Sequence, residues 1–490
     1  MMLINLLALL PILMIFLFLF LLKKSALLAG GASFLTAIVL VHIVPMFALD
    51  AGEMIHAALK GVLTSGIVAY VLLFGILLFH LMNEAGAIRA IASFVANITD
   101  DPVRQVLLLA AAFSPLVESA SGFGIAIIVV APILIELGFA PYRAALVALS
   151  SLSAVAWGAL ATGTVIGASL GGIPLTHIGR GSAVLCCVTF FYFIGTAVWI
   201  ATGHEGIRKR WPDILVAAGT LSLLIWACNV YISVELAGVL GSLGTLGVLL
   251  LLIKLTAKGN GSTSESLAVV WRAASPYLFL TTLLLLSRLV PPVEAFLATH
   301  AVVDLPAYGF SLPLCYSPGF ALFLTCLFSL GIYRTDWPTM QKILRYTWAQ
   351  WYPVTLTTVF YVAMSEIMAS SGMIATLAMA SAPLFGHSFV FLSPFVGGLG
   401  GFLTGSTTGS NAMFMKLQVE TGLQLGIPPE ILASSQNTGA SHLTMASPSR
   451  VVLGATVCKI RSEESRLQRS MTLIAAGSLT LVMLASKFFW

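Results

Sequence analysis

Charge is scarce in this 490-residue chain. Lys, Arg, Asp and Glu make up 9% of it while 59% is hydrophobic, against roughly a quarter charged in ordinary soluble domains. That balance leaves an integral membrane protein and no leftover soluble domain. Catalytic signatures are missing too: there are no paired carboxylates, no Ser/His/Asp arrangement and no His-Glu-x-x-His helix, so an enzyme is not expected. The six cysteines (Cys186, Cys187, Cys228, Cys315, Cys326 and Cys458) sit mostly in apolar segments without metal-ligand spacing. They read as buried, inert thiols. No metal, cofactor or nucleic-acid partner is expected.

What is present is a series of apolar runs, about 17 to 25 residues each, recurring from end to end, each able to cross a ~30 Å hydrocarbon core. Met1 to Leu22 has no basic residues before it and Lys23-Lys24 after it, which fits an uncleaved first helix better than a signal peptide. The pattern predicts an all-α polytopic membrane protein with about 12 transmembrane helices plus two re-entrant hairpins, at 105–139 and 388–424. With the N-terminus outside and both hairpins entering and leaving on one side, 18 of the 24 Lys and Arg residues face the cytoplasm, including Lys23, Lys24, Arg208, Lys209, Arg210, Lys254 and Lys258. The loop from Pro291 to Pro318, placed outside, contains none. Both features obey the positive-inside bias.

The stretch ESASGFG, Glu118 to Gly124, interrupts the apolar run of the first hairpin. Its arms, 105–117 and 125–137, are about 20 Å each at 1.5 Å per residue, too short to cross but long enough to reach mid-bilayer. Glycines permit the reversal, and hydroxyls satisfy backbone groups that have no helical partner. The alternative is one long kinked crossing helix with Glu118 capping the break.

An internal repeat favours the hairpin. Sliding the chain on itself by 288 residues lays LGFAPYRAALVALS from Leu137 on LGIPPEILASSQNT from Leu425, and ESASGFG on STTGSNA, Ser406 to Ala412. The expected organisation is two N-terminal helices (1–61), a first repeat (62–202), central helices with cytoplasmic linkers (203–350) and a second repeat of opposite orientation (351–490). Inverted repeats with broken helices meeting near the midplane are the architecture of secondary transporters. Each repeat carries a second break, WGALATGT (Trp157 to Thr164) in one and QNTGASHLTMASP (Gln436 to Pro448) in the other. Unwound backbone and small hydroxyls there suit an ion or small anion, although Gly and Thr also serve close helix packing.

LVESASGFGIAIIVVAPILIELGF (from Leu116), FLSPFVGGLGGFLTGSTTGSNAMF (from Phe391) and NTGASHLTMASP (from Asn437) resemble the lactate permeases, the lactate/glycolate:proton symporters. The resemblance runs along nearly the whole chain and is least clear in its middle third. It implies import of a short 2-hydroxymonocarboxylate such as L-lactate or glycolate, coupled to protons, across the plasma membrane. The family's glutamate before Gly-Phe-Gly matches Glu118. An acidic residue common in the second hairpin is Thr407 here, and a lysine common before Met-x-Ser-Pro is Thr444. Those departures put proton coupling through that second pair in question.

The site expected on this reading is built from the two tips and the two breaks. Free N–H groups at the starts of the second hairpin arms, near Gly122, Gly124 and Ser410 to Ala412, favour an anion. Ser119, Ser121, Ser406, Thr407, Thr408, Ser410 and Asn411 are candidate ligands at the tips. Trp157, Thr162, Asn437 and Thr438 are candidates at the breaks. His442 and Arg450 are the candidate basic supplements, Arg450 standing near enough to the cytoplasmic end of its helix to snorkel instead. Lys416, partway along the outer arm of the second hairpin, is no stronger a candidate than Arg450, and His80, near a helix end, reads as an interfacial residue. Burial disfavours the charged form of Glu118, which suits it to take up and release a proton. A sodium-coupled variant and a dicarboxylate or sulfonate substrate are the competing readings.

Overall fold

The computed structural model describes residues 2–122, 124–256 and 267–488; Phe123 of the first tip and Lys258 lie outside the described residues. Helix follows helix along nearly the whole chain. Among the described residues nine helices are long and apolar enough to cross a membrane, or ten if the bent pair Pro141–Ser150 and Val155–Gly171 is one span. The protein is an all-α polytopic membrane protein, apart from a two-stranded antiparallel ribbon, Val302–Leu305 with Phe310–Pro313, in the loop expected to lie outside.

The nine include Pro102–Ser121 and Met373–Thr404, which overlap the two stretches expected as hairpins, so they are not the expected twelve one for one. Two apolar runs, 181–201 and 213–231, fall within Leu175–Tyr231, which is two helices joined at a kink with non-helical backbone at Gly203 and Arg210. At 1.5 Å per residue the part before Gly203 is about 42 Å long and the part after Arg210 about 32 Å, each enough for one crossing. Pro318–Tyr333 has only 16 residues. Trp337–Ser370 is long enough, but Lys342, Arg345, Gln350 and Glu366 dilute its apolar character.

Local chemistry sets the helix starts. Asp50 and Glu53 form a reciprocal capping box at the start of Ala51–Glu84, satisfying N–H groups that the helix leaves orphaned. Asp101 accepts from the backbone N–H groups of Val103 and Arg104. Proline stands at the first turn of Pro141–Ser150, Pro429–Leu443 and Pro448–Val457, where its missing N–H costs nothing.

The same order of elements occurs twice. Ala51–Glu84 and Trp337–Ser370 both have 34 residues. Each is followed by a left-handed glycine, Gly86 (φ 68°) or Gly372 (φ 78°), and a shorter helix, Ala87–Ala96 or Met373–Phe385. A pair of apolar arms comes next, then a helix interrupted by a 3-10 turn. The two 34-residue helices touch at Gly61, where an added Cβ would lie 2.5 Å from the Cα of Ala363. Only glycine permits that approach.

Ion pairs tie the ends of the bundle. At the end carrying most of the basic residues, Arg104 donates to Asp213 at 2.8 Å and Arg210 to Asp101 at 2.8 Å. At the other end Arg288 donates to Glu235 at 3.2 Å and lies over the Tyr316 ring at 3.6 Å.

Candidate functional site

The first pair of arms runs from Pro102 to Ser121 and from Ile125 to Glu136. Glu118, Ser119 and Ser121 are therefore in the last helical turn of the first arm, which ends at Gly122, and the second arm is entered from Gly124. Both glycines of the reversal have positive φ, 71° and 75°. The Gly124 N–H donates to the Glu118 carboxylate, 3.0 Å from each oxygen, so Glu118 caps the start of the second arm. The second pair is Phe389–Thr404 and Thr407–Leu425, turned at Gly405 (φ 65°). Ser406 caps its second arm by accepting from the Gly409 N–H at 3.2 Å.

Each interrupted helix meets a reversal. Between Pro141–Ser150 and Gly158–Gly171 the chain makes a 3-10 turn at Val155–Trp157 and then three left-handed residues, Ala159, Leu160 and Ala161 (φ 39°, 53° and 62°). Left-handed backbone costs roughly 1–2 kcal/mol per non-glycine residue, so this turn is held by its surroundings. A Cβ at Gly122 would come 2.9 Å from that of Ala159, which shows how closely the first reversal packs on the turn. In the second, Pro429–Leu443 passes through a 3-10 turn at Thr444–Ala446 and restarts at Pro448, with Ser447 as cap.

Where these parts meet there is a cavity of about 40 Å³ lined by Glu118, Gly122, Thr162, Thr407, Thr408 and Arg450, with Ser406 and Gly405 beside them. That exceeds the ~10–15 Å³ needed for one water. Arg450 is 5% exposed and Glu118 1%, and their Nη1 and Oε1 atoms are 3.5 Å apart. Arg450 turns into the cavity instead of snorkelling. Gly124 packs against it, its left-handed backbone (φ 75°) favouring glycine at that point. Two polar atoms here make no protein hydrogen bond among the described residues, Arg450 Nη1, which is ion-paired with Glu118, and Thr407 Oγ1. Unmet buried donors are costly, and a small anion would satisfy both.

Other expected residues lie elsewhere. Ser119 points at Gly238 and Trp157. Ser121 is buried in the same helical turn but does not line the cavity. The Trp157 indole donates to Asn229 at 3.2 Å, bracing the break from behind. Ser410 donates to the Gly397 carbonyl, and Thr438 to that of Ser434, both acts of helix packing. His442 is fully buried beside Thr189 and Phe193. Asn411 and Asn437 make the junction under the cavity: Asn411 donates to the Gly163 carbonyl at 2.9 Å and to Asn437 Oδ1 at 2.8 Å, while Asn437 donates to Thr164 and Ser182. Thr444 donates to the Ser441 carbonyl and is not part of the lining.

One charged cluster escaped sequence reading. Glu366, buried in Trp337–Ser370, is paired with Lys416 at 3.1 Å and with Lys60 at 3.5 Å. The acid and its lysines come from three elements far apart in the chain, and only their rarity in apolar runs marked them.

The profile of the L-lactate permease family matches residues 5–309 and 304–489. The L-lactate permease of Escherichia coli K12 is 26% identical over 454 residues, covering 82% of this chain and 80% of that protein. Glycolate permease GlcA of the same strain is 27% identical over 547 residues, covering 99% and 95%. A solved structure, the YdaH transporter of Alcanivorax borkumensis, aligns with 86% of this chain and 84% of its own at 15% identity and a TM-score of 0.49. The first reversal, the second reversal and the second break all fall within the matched residues, and the chain belongs to the L-lactate permease family.

Proposed function

We propose that this protein imports a 2-hydroxymonocarboxylate, L-lactate or glycolate, by proton symport with alternating access, and that Glu118 and Arg450 couple the two solutes. Membership of a permease family makes it a transporter and not an enzyme, and a multi-pass membrane protein, of the plasma membrane in bacteria. The relatives named for lactate and for glycolate support the substrate class.

The observation that carries the reading is the Glu118–Arg450 pair, 3.5 Å apart in a cavity with an unmet guanidinium donor. A substrate carboxylate and the Glu118 carboxylate compete for one cation. Protonating Glu118 removes the competitor and leaves Arg450 to the substrate, so proton and anion bind best together. Loss of both restores the internal pair, which keeps the Arg450 charge compensated while the site is empty. Arg450 is the one Lys or Arg lining this cavity among the described residues. A single cation suits a monocarboxylate better than a dicarboxylate. Thr407, Thr408, Thr162 and Ser406 are the hydroxyls placed to bond the acid or its 2-hydroxyl group.

Two inverted repeats with re-entrant hairpins, 105–139 and 388–424 within 62–202 and 351–490, are the proposed frame. The matched order of the elements, each stretch opening on a 34-residue helix, supports it. Glu118 and Arg450 then come from different repeats, so relative movement of the repeats changes their separation. The test is uptake of radiolabelled L-lactate into proteoliposomes under a pH gradient, a sodium gradient or neither, with glycolate, pyruvate, succinate and sulfonates as competitors. Accumulation driven by the pH gradient and blocked by glycolate is expected. Uptake driven by sodium alone, or succinate as the better competitor, contradicts the proposal.

A further inference from the structure

Three cavities adjoin. The central one shares Gly405, Ser406 and Arg450 with a second of about 350 Å³, which reaches Thr357 and Tyr361. The second shares Ser25, Ala26, Thr404 and Ser449 with a third of about 460 Å³, bordered by Lys23 and Lys24. No carboxylate lines the second or third cavity among the described residues. Their only charged lining groups are Arg450 at the inner end and the two lysines at the mouth.

The opposite side is built differently. There a cavity of about 200 Å³, lined by Glu235, Arg288 and Tyr316, shares only Thr162 with the central one. The wall between them is the left-handed turn Ala159–Ala161: Ala159 borders the central cavity and Leu160 the far one. The Glu235–Arg288 pair and the Arg288–Tyr316 stack tie the elements around the far cavity together.

We infer that the small organic anion passes between the Glu118–Arg450 site and the cytoplasm along the three-cavity route, under Arg450, past Ser449 and Thr404, and out between Lys23 and Lys24. The structure is thus an inward-facing state, with the Ala159–Ala161 turn and Thr162 as the closed outer wall. The inference rests on the proposed anion transport for its cargo, and on the positive-inside orientation for its direction. Arg450 lines both the central and the second cavity, so it is both ligand and threshold. A positive potential at the mouth, with no acid along the way, draws an anion and repels a cation. Hydroxyls at Ser25, Thr357, Thr404 and Ser449 replace part of the water that a carboxylate loses in transit.

The route is tested with single cysteines at Ser449 and Thr357 in a chain freed of its six native cysteines, with Ser311→Cys in the far cavity as counterpart. Proteoliposomes of sorted orientation are exposed to a membrane-impermeant anionic thiosulfonate. Side-specific labelling reports the route without any substrate, whereas slowing by L-lactate reports the cargo, so the two readings fail separately. The expected result is labelling of Ser449→Cys from the cytoplasmic face only, loss of at least nine-tenths of its uptake, and labelling of Ser311→Cys from the other face. Thr357→Cys repeats the test should Ser449→Cys show no uptake before reagent. Labelling of both route positions from the outer face, or labelling without loss of uptake, overturns the inference. Lys23→Gln with Lys24→Gln is expected to raise the half-saturation concentration from the cytoplasmic face about threefold at low salt and not at high salt, as screening requires. A salt-independent change, or none, contradicts the role of the mouth.

Discussion

Arg450 Nη1 lies 3.5 Å from Glu118 Oε1, joining the helix after the second break to the last turn of the first hairpin arm. The two side chains are 332 positions apart in sequence and almost wholly buried. Their meeting brings two separate polar interruptions of the sequence together in one cavity.

Arg450→Lys is predicted to fold and to bind substrate poorly. A lysine keeps the charge but loses the planar fork that can hold a substrate carboxylate by two hydrogen bonds. The loss of a charge-assisted hydrogen bond, roughly 1.5–3 kcal/mol, corresponds to a rise in KM of about 10- to 150-fold. Uptake kinetics in proteoliposomes check this, and an unchanged KM contradicts it.

Thr407→Val separates binding from stability. The Thr407 hydroxyl has no protein partner, so removing it is predicted to leave the unfolding temperature in detergent nearly unchanged. KM for lactate is predicted to rise about 5-fold, the value of one neutral hydrogen bond of about 1 kcal/mol. A drop in stability with unaltered KM would make Thr407 a packing residue.

The asparagine junction behaves in the opposite way. Asn437→Leu strips partners from Asn411, Thr164 and Ser182, leaving buried polar groups unpaired at about 1–3 kcal/mol each. A lowered melting temperature, with uptake per folded molecule reduced through Vmax more than KM, is the expected result of thermal unfolding and transport assays run together.

Gly61→Ala addresses the frame. Its Cβ would sit 2.5 Å from Ala363 Cα, and since that contact is backbone, the two 34-residue helices must separate. Overpacking of this kind costs about 1–3 kcal/mol. Gly66, with open space at the Cβ position, is the control: Gly66→Ala is predicted to leave the melting temperature unchanged or slightly higher.

A pH-dependent contribution is expected at Asp101, outside the spans. Burial alone would raise its carboxyl, but the hydrogen bond and charge of Arg210, with the Arg104 and Val103 N–H groups, outweigh burial and hold it below the ordinary carboxylate value. A folded-state value below the unfolded one stabilises the protein above the unfolded value, near pH 4, and that stabilisation fades as pH falls through the folded value. The melting-temperature gap between wild type and Asp101→Asn is therefore predicted to be present at pH 7 and to shrink below about pH 4.

Much of this site was legible because membrane depth makes polarity conspicuous. Glu118 and the Gly-rich reversals stand out in apolar runs, and the Thr- and Gly-containing breaks lie where the interrupted helices form. Which polar residue faces the cavity was not legible. Ser119 is one position from Glu118, and a rotation of about 100° per residue carries it away to Gly238. His442 belongs to a packed interface for the same reason, and Arg450, which snorkelling would have taken to the surface, is retained by Glu118. The Glu366–Lys416–Lys60 cluster depends on three-dimensional neighbours that no periodicity encodes. The kink at Gly203, which joins two apolar runs with little break in hydropathy, and the polar dilution of Trp337–Ser370 are properties of backbone and composition together.

The central claim is that Glu118 couples the proton to the anion by competing for Arg450, and Glu118→Gln tests it most directly. In proteoliposomes the account predicts that the variant still exchanges labelled for unlabelled L-lactate, with little dependence on pH, but no longer accumulates lactate under an imposed pH gradient. Accumulation at the wild-type level with the wild-type pH dependence would contradict it.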